Sequence, residues 1–197
     1  TELRDAVSQV EVARIDGTEA ARVFTLPRGD VRGWISDDEL LLTGRDAPDA
    51  EEERLFTLSV RDGTTTDLVT SDRMSGEALS PGGRWVTFYI AQSVDPDRNG
   101  FWIAGTDGRA PRQLPAEFFG AYQWRDADHL LVIPFRPEAT YHELWEVDAA
   151  TGEALRLTTG DTYPIKIANG DWTVSPDGRH VAFVESSDKN IWVLSLP

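Results

Sequence analysis

The chain has 197 residues, 40% hydrophobic and 10% aromatic, which is enough to bury a sizeable core and too apolar for a disordered segment. Its 34 acidic side chains against 19 basic ones give a formal net charge of −15. That balance argues against nucleic acid or an anionic membrane surface as a partner, since both need clustered Lys and Arg. With no cysteine, disulfides, thiolate nucleophiles and cysteine metal sites are excluded, and no apolar run approaches the roughly 18 residues of a membrane span. No signal peptide is recognisable, but the chain starts at Thr1 without Met, so that absence says nothing about export.

In chain order, the first predicted strands run from Val10 to Ile15 and from Arg22 to Leu26, either side of Gly17. Ile35-Ser36-Asp37-Asp38 then leads into Leu40-Leu41-Leu42: a short strand, a tight turn and an apolar strand. The segment from Gly44 to Arg54 carries Asp46, Asp49, Glu51, Glu52 and Glu53, and reads either as a solvated loop or as a receiver for a basic partner. Leu55 to Val60 and Thr66 to Val69 flank Gly63. The pattern then returns. Leu79-Ser80-Pro81-Gly82-Gly83-Arg84 leads into Trp85-Val86-Thr87-Phe88, a long loop spans Ala91 to Gly100, and Phe101 to Ala104 and Arg112 to Leu114 flank Gly108. A third pass has Trp124-Arg125-Asp126-Ala127-Asp128 before Leu130 to Ile133, a loop from Pro134 to Glu143, and Leu144 to Val147 and Ala154 to Leu157 around Gly152. The last begins with Val174-Ser175-Pro176-Asp177-Gly178-Arg179, continues through Val181 to Val184, and ends on Ile191 to Leu194.

The glycines at 17, 63, 108 and 152 are 46, 45 and 44 residues apart, and positions 36, 80, 125 and 175 are 44, 45 and 50 apart. Pro presets the first turn corner, Asp or Ser bonds the local backbone, and Gly accepts the left-handed conformation. Four short strands in about 45 residues is the period of a propeller blade, and Gly, Pro or β-branched residues interrupt every candidate helix. The predicted fold is therefore all-β, a β-propeller of about four four-stranded blades. A partial blade covers 1–29, complete blades cover 30–72, 73–117 and 118–161, and a partial blade covers 162–197. With strands lettered a to d outward from the axis, the N-terminus supplies c and d and the C-terminus a, b and c. Five strands for one four-stranded blade leave two arrangements. One is a four-bladed ring with a spare strand; the other is an arc of a larger ring, completed by further sequence or by a second copy as a homodimer through open edges. The arc is favoured, because an open edge demands a partner.

The stretch from Ser175 to Phe183, with Ile191-Trp192-Val193-Leu194, resembles the bacterial TolB-type, WD-like propeller repeat, and Asp148 to Thr158 looks like that repeat's closing hairpin. The Ser36 unit lacks the Pro-Gly turn and the Arg125 unit lacks the serine, so both are weaker copies. The same repeat builds the non-catalytic propellers of prolyl oligopeptidase-like enzymes. The resemblance implies a fold and, through TolB, an extracytoplasmic bacterial setting, periplasmic or secreted.

Few residues suggest chemistry. Asp95, Asp97 and Asn99, followed by Gly100, match the first half of a calcium loop, although the twelfth position is Thr106 and Pro96 stiffens the turn. The same residues are ordinary turn formers. No other cofactor is expected. His129, His142 and His180 lack metal-ligand spacing and read as turn or surface residues. No Gly-x-Ser-x-Gly elbow and no phosphate-cradling loop occur. Trp85, Trp102, Trp145 and Trp192 fall on predicted strands and suit packing between blades, whereas Trp34, Trp124 and Trp172 lie near the axis and could line a ligand pocket or pack in the core. The expectation is a non-enzymatic binding module that presents loops and an axial channel to a protein partner or small ligand. The alternative is the substrate-gating propeller of a prolyl oligopeptidase-like serine peptidase without its hydrolase domain.

Overall fold

The computed structural model describes residues 7–161 and 163–197, which form antiparallel sheets in two compact units, 1–113 and 114–197. The first unit begins with a two-stranded sheet, β1 (Val7–Val12) and β2 (Ala21–Pro27). Two four-stranded meanders follow. One is β3 (Asp30–Ser36), β4 (Glu39–Gly44), β5 (Glu53–Ser59) and β6 (Thr65–Ser71); the other is β7 (Met74–Leu79), β8 (Trp85–Ile90), β9 (Gly100–Gly105) and β10 (Arg112–Gln113). The second unit holds the meander β11 (Gly120–Trp124), β12 (His129–Pro134), β13 (Trp145–Asp148) and β14 (Ala154–Arg156). It closes with a three-stranded sheet, β15 (Ile167–Val174), β16 (His180–Glu185) and β17 (Ile191–Ser195).

The first strand lies three residues earlier than the sequence pattern suggests. Ile15 falls in a turn closed by Arg14 N–H donating to Thr18 O at 2.9 Å and Gly17 N–H donating to Arg14 O at 2.8 Å, so this apolar side chain is fully exposed. Turn chemistry overrides hydrophobicity there.

The apolar runs of the second strands follow from burial on both faces. In β4, Leu41 joins Leu55, Met74, Val86, Phe88, Ile90 and Ala104 in a core between two consecutive sheets. Its neighbours Leu40 and Leu42 point the other way, to Val10, Leu26, Phe56 and Leu58. The period of two thus distributes one strand between two cores. In the second unit, Leu131, Ile133 and Leu144 pack against Ile167, Trp172, Val181 and Phe183 of the next sheet.

The repeated turn has one geometry. Ser80 Oγ accepts from Trp85 N–H at 3.1 Å, and Ser175 Oγ accepts from His180 N–H at 2.9 Å. At the unit without the serine, Asp126 Oδ1 does this work, accepting from Asp128 N–H at 2.9 Å and His129 N–H at 2.8 Å. Gly83 and Gly178 have φ of +76° and +68°. A Cβ would stand 2.5 Å from Ile35 O at Gly83 and 2.7 Å from Arg125 O at Gly178, so each glycine also seats its turn against the preceding sheet.

Gly82 offers a control, with φ of +82° and open space around it. Gly82→Ala is expected to cost about 1 kcal/mol through left-handed strain alone. Gly83→Ala adds an overpacking cost of about 1–3 kcal/mol. Urea midpoints of the two variants measure the difference, and equal midpoints would remove the contact between sheets from the account.

Candidate functional site

A concavity in the second unit has the segment between β14 and β15 as one of its walls. Thr158 Oγ1 accepts from Leu144 N–H at 2.8 Å, and Leu157 N–H donates to Leu144 O at 2.8 Å. His142 then grips the segment twice, its backbone N–H donating to Ile165 O at 2.7 Å and its ring Nδ1 accepting from Ile167 N–H at 3.0 Å. Ser186 N–H donates to Lys166 O at 2.7 Å. These bonds fix Tyr163, Pro164 and Ile165 as one wall of a concavity of about 530 Å³, with Phe183, Trp192 and Leu194 also lining it.

Glu185 and Asp188 line the same concavity. Hydrogen bonds from Ser187, side chain first and then backbone, hold the Glu185 carboxyl below its usual range. The Asn190 backbone N–H does the same for Asp188. Both stay ionised at neutral pH. Trp192 Nε1–H donates to Asp188 Oδ2 at 3.3 Å, which orients the indole. The arrangement offers an apolar surface with two carboxylates beside it.

The sequence-derived candidates are distributed differently. Trp34, on β3 of the first unit, is half exposed beside a shallow depression formed with Ile35, Ser36 and Asp37. Trp124 and Trp172 belong to the second unit, on β11 and β15. Trp124 is half-buried, and Trp172, 8% exposed, is part of the core around Phe183. Trp192 corrects the expectation that it packs between blades: it is 52% exposed, because among the described residues β17 is paired only with β16.

Asp95, Asp97 and Asn99 lie on a 3-10 turn, Pro96–Arg98, and its flanks. Asp95 Oδ1 caps the turn by accepting from Asp97 N–H at 3.1 Å, and Asn99 Oδ1 accepts from Ser93 N–H at 2.9 Å. Among the described residues no three His, Cys, Asp or Glu side chains converge as a metal-ligand group. The acidic loop is partly paired within the fold, Asp46 with Arg54 at 2.9 Å and Glu52 with Arg98 at 3.7 Å. No helix among the described residues is long and apolar enough to cross a membrane.

No family model matches the sequence, and no curated protein matches it. Solved structures do. A putative TolB from Agrobacterium tumefaciens superposes with a TM-score of 0.54 at 18% identity, over 95% of this chain and 65% of that one. The fold is a β-propeller. An acylaminoacyl peptidase from Pyrococcus horikoshii shares it at a TM-score of 0.59 and 11% identity, over 96% of this chain and 36% of that one. An oligogalacturonate lyase in complex with manganese does so at 0.56 and 14%, over 96% and 72%. The chain therefore spans about two thirds of the TolB and about one third of the peptidase. Three such different neighbours leave function to be argued from this propeller's own residues.

The His142 grip has a pH signature. Burial first, and the Lys166 charge second, lower its pKa from 6.5, so the folded state prefers the neutral ring that accepts from Ile167. Between 6.5 and the lower folded value the unfolded chain binds more protons, so stability falls as pH drops through that window and is full above it. The hydrogen-bonded carboxylates, lowered from 3.8 or 4.5, lose their contribution only in more acidic solution. Urea midpoints at pH 7.5 and 5.5 should differ in the native chain, and the difference should shrink in His142→Gln. An unchanged difference would show that the bond does not couple to folding.

Proposed function

We propose that this chain is a non-enzymatic binding and scaffold module, presenting its loops and a preformed apolar pocket to a protein partner or small ligand. The observation that carries the reading is the wall Tyr163–Ile165, held by hydrogen bonds on both sides and facing Trp192 and Phe183. A concave apolar site with a few fixed polar groups is the common form of a ligand site. Loops positioned by rigid sheets are suited to presenting a binding surface. An extracytoplasmic bacterial setting, periplasmic or secreted, belongs to the same reading through the resemblance to TolB.

A second reading is favoured by the likeness to an acylaminoacyl peptidase. In it the propeller screens substrates for a serine hydrolase domain encoded elsewhere in the same gene. A nucleophile elbow in sequence adjoining this chain would decide for that reading.

Two measurements test the first. Ester and peptide substrates incubated with the pure chain should show no turnover, and turnover abolished by a serine-directed inhibitor would overturn the reading. Nile red should bind one site with a blue-shifted emission and should bind several-fold more weakly to Trp192→Ala. Equal binding would remove the pocket from the proposal.

A further inference from the structure

The three histidines answer acid differently. His129 Nδ1 lies 3.0 Å from Asp126 Oδ1 and His180 Nδ1 lies 3.9 Å from Asp177 Oδ1, so a proton on either ring meets a carboxylate. His142 is placed the other way. Its Nδ1 stands 3.0 Å from the backbone nitrogen of Ile167, and a backbone N–H can only donate. In this position the ring is therefore neutral and carries its hydrogen on Nε2. A proton added at Nδ1 removes the acceptor and sets two donors against each other.

What the ring holds is the far end of the connection from β14 to β15. The near end is seated by groups that do not titrate near neutrality. Thr158 Oγ1 accepts from Leu144 N–H at 2.8 Å, and the Tyr141 ring lies so close over Gly160 that a Cβ there would stand 2.0 Å from it. The far end rests on His142 N–H donating to Ile165 O, Ser186 N–H donating to Lys166 O, both at 2.7 Å, and Ile167 N–H donating to the ring. Of these only the last can be cut by a proton in mild acid. Ile167 pairs with Glu185 on β16, but the next ladder pair is Trp172 with Phe183, so no adjacent pair reinforces it. The charged groups of the elements that meet here are Arg136, Glu138 and Glu143 in the loop of His142, Asp161 and Lys166 on the connection, and Glu185, Asp188 and Lys189 at the turn after β16. Glu143 is engaged with Arg156 at 3.3 Å and with the Trp145 indole at 3.0 Å. Glu185 accepts from Ser187 N–H at 2.6 Å, and Asp188 from Asn190 N–H at 2.8 Å. Among the described residues no carboxylate bonds the ring, and the Lys166 charge opposes a proton on it.

We propose that His142 is an acid-operated latch: protonation of its ring frees the Ile167 N–H and opens the β14–β15 connection at its Ile165–Ile167 end, while the sheets on either side stay folded. The sheets are held by Leu131, Ile133, Leu144, Trp172 and Phe183, a core without an ionisable side chain. Burial first, and the Lys166 charge second, hold the latched ring below its ordinary 6.5, so the latch is shut at neutral pH and loosens as pH falls below 6.5. One linked proton weakens it by up to about tenfold per pH unit until the lowered value is reached. The latch is a property of the backbone and does not rest on the binding-module reading. It adds a signal to that reading, since acid takes Tyr163, Pro164 and Ile165 away as a wall of the concavity.

Ring nitrogen shifts and backbone amide exchange of the full chain, followed by NMR from pH 7.5 to 5.0, test the latch. At neutral pH the His142 ring is expected as the Nε2–H tautomer, and an Nδ1–H tautomer would overturn the proposal. After correction for the intrinsic pH dependence of exchange, protection of the Ile167 amide should fall about tenfold between pH 7 and pH 5.5. It should lie well below that of the Leu131 and Val181 amides at both values, because local opening costs less than unfolding. Protection of Ile167 that ignores pH, or that equals that of Leu131 and Val181, would overturn the latch. His142→Asn places an acceptor oxygen where Nδ1 stands and does not titrate. Ile167 should stay protected in it at both pH values. In His142→Ala the Ile167 amide should be unprotected at both, with Leu131 and Val181 still protected as evidence of folding. A pH response that survives in His142→Asn would assign the effect to another group, and an Ile167 amide still protected in His142→Ala would show that the ring holds nothing; either result overturns the proposal. No ligand enters these measurements, so they leave the binding-module reading to its own tests.

Discussion

The sheet β3–β6 has two apolar faces and cannot cover both by itself. Leu40, Leu41 and Leu42 make the constraint concrete: three consecutive leucines on β4 enter two separate cores, one on each side of the sheet. Stability therefore depends on stacking one sheet against the next. The other recurring devices serve that stacking. Gly83 and Gly178 let neighbouring backbones approach where a methyl group would collide, and the oxygens of Ser80, Ser175 and Asp126 close their turns.

The same constraint produces the site. In the second unit the last sheet is anchored along its innermost strand and at its first turn. Gln123 Nε2–H donates to Trp172 O at 2.5 Å, and its Oε1 accepts from Val174 N–H at 3.3 Å, so one side-chain amide pairs with a neighbouring strand as a peptide group would. Arg125 donates to Gly178 O at 2.9 Å and Pro197 O at 2.8 Å while pairing with Glu146. These bonds fix the sheet that carries Phe183 and Trp192 against its neighbour.

Much of the fold was legible because its signals are local. Turn residues at fixed offsets and apolar second strands recur every 45 residues or so, and each can be read without knowing its neighbours. The site was less legible because coverage is not local. Nothing within Ile191-Trp192-Val193-Leu194 says whether a further strand lies beside it, so Trp192 reads as a packing residue although its indole lies open. His142 reads as a loop residue, since its partners Ile165 and Ile167 lie more than twenty positions away. The Arg125 unit reads as a degraded copy because its serine is missing, whereas Asp126, one position on, does the serine's work.

That exchange has a consequence for the repeat as a unit of inheritance. Once Asp126 closes the turn, position 125 is released from turn duty and can acquire a side chain specific to its own neighbour. The repeats remain alike in backbone and diverge in address. A copy with serine at that position, put in the place of residues 118–161, would arrive without the guanidinium that holds Gly178 and Pro197. The order of the repeats is thereby written into the molecule at a position where the repeat departs from its serine.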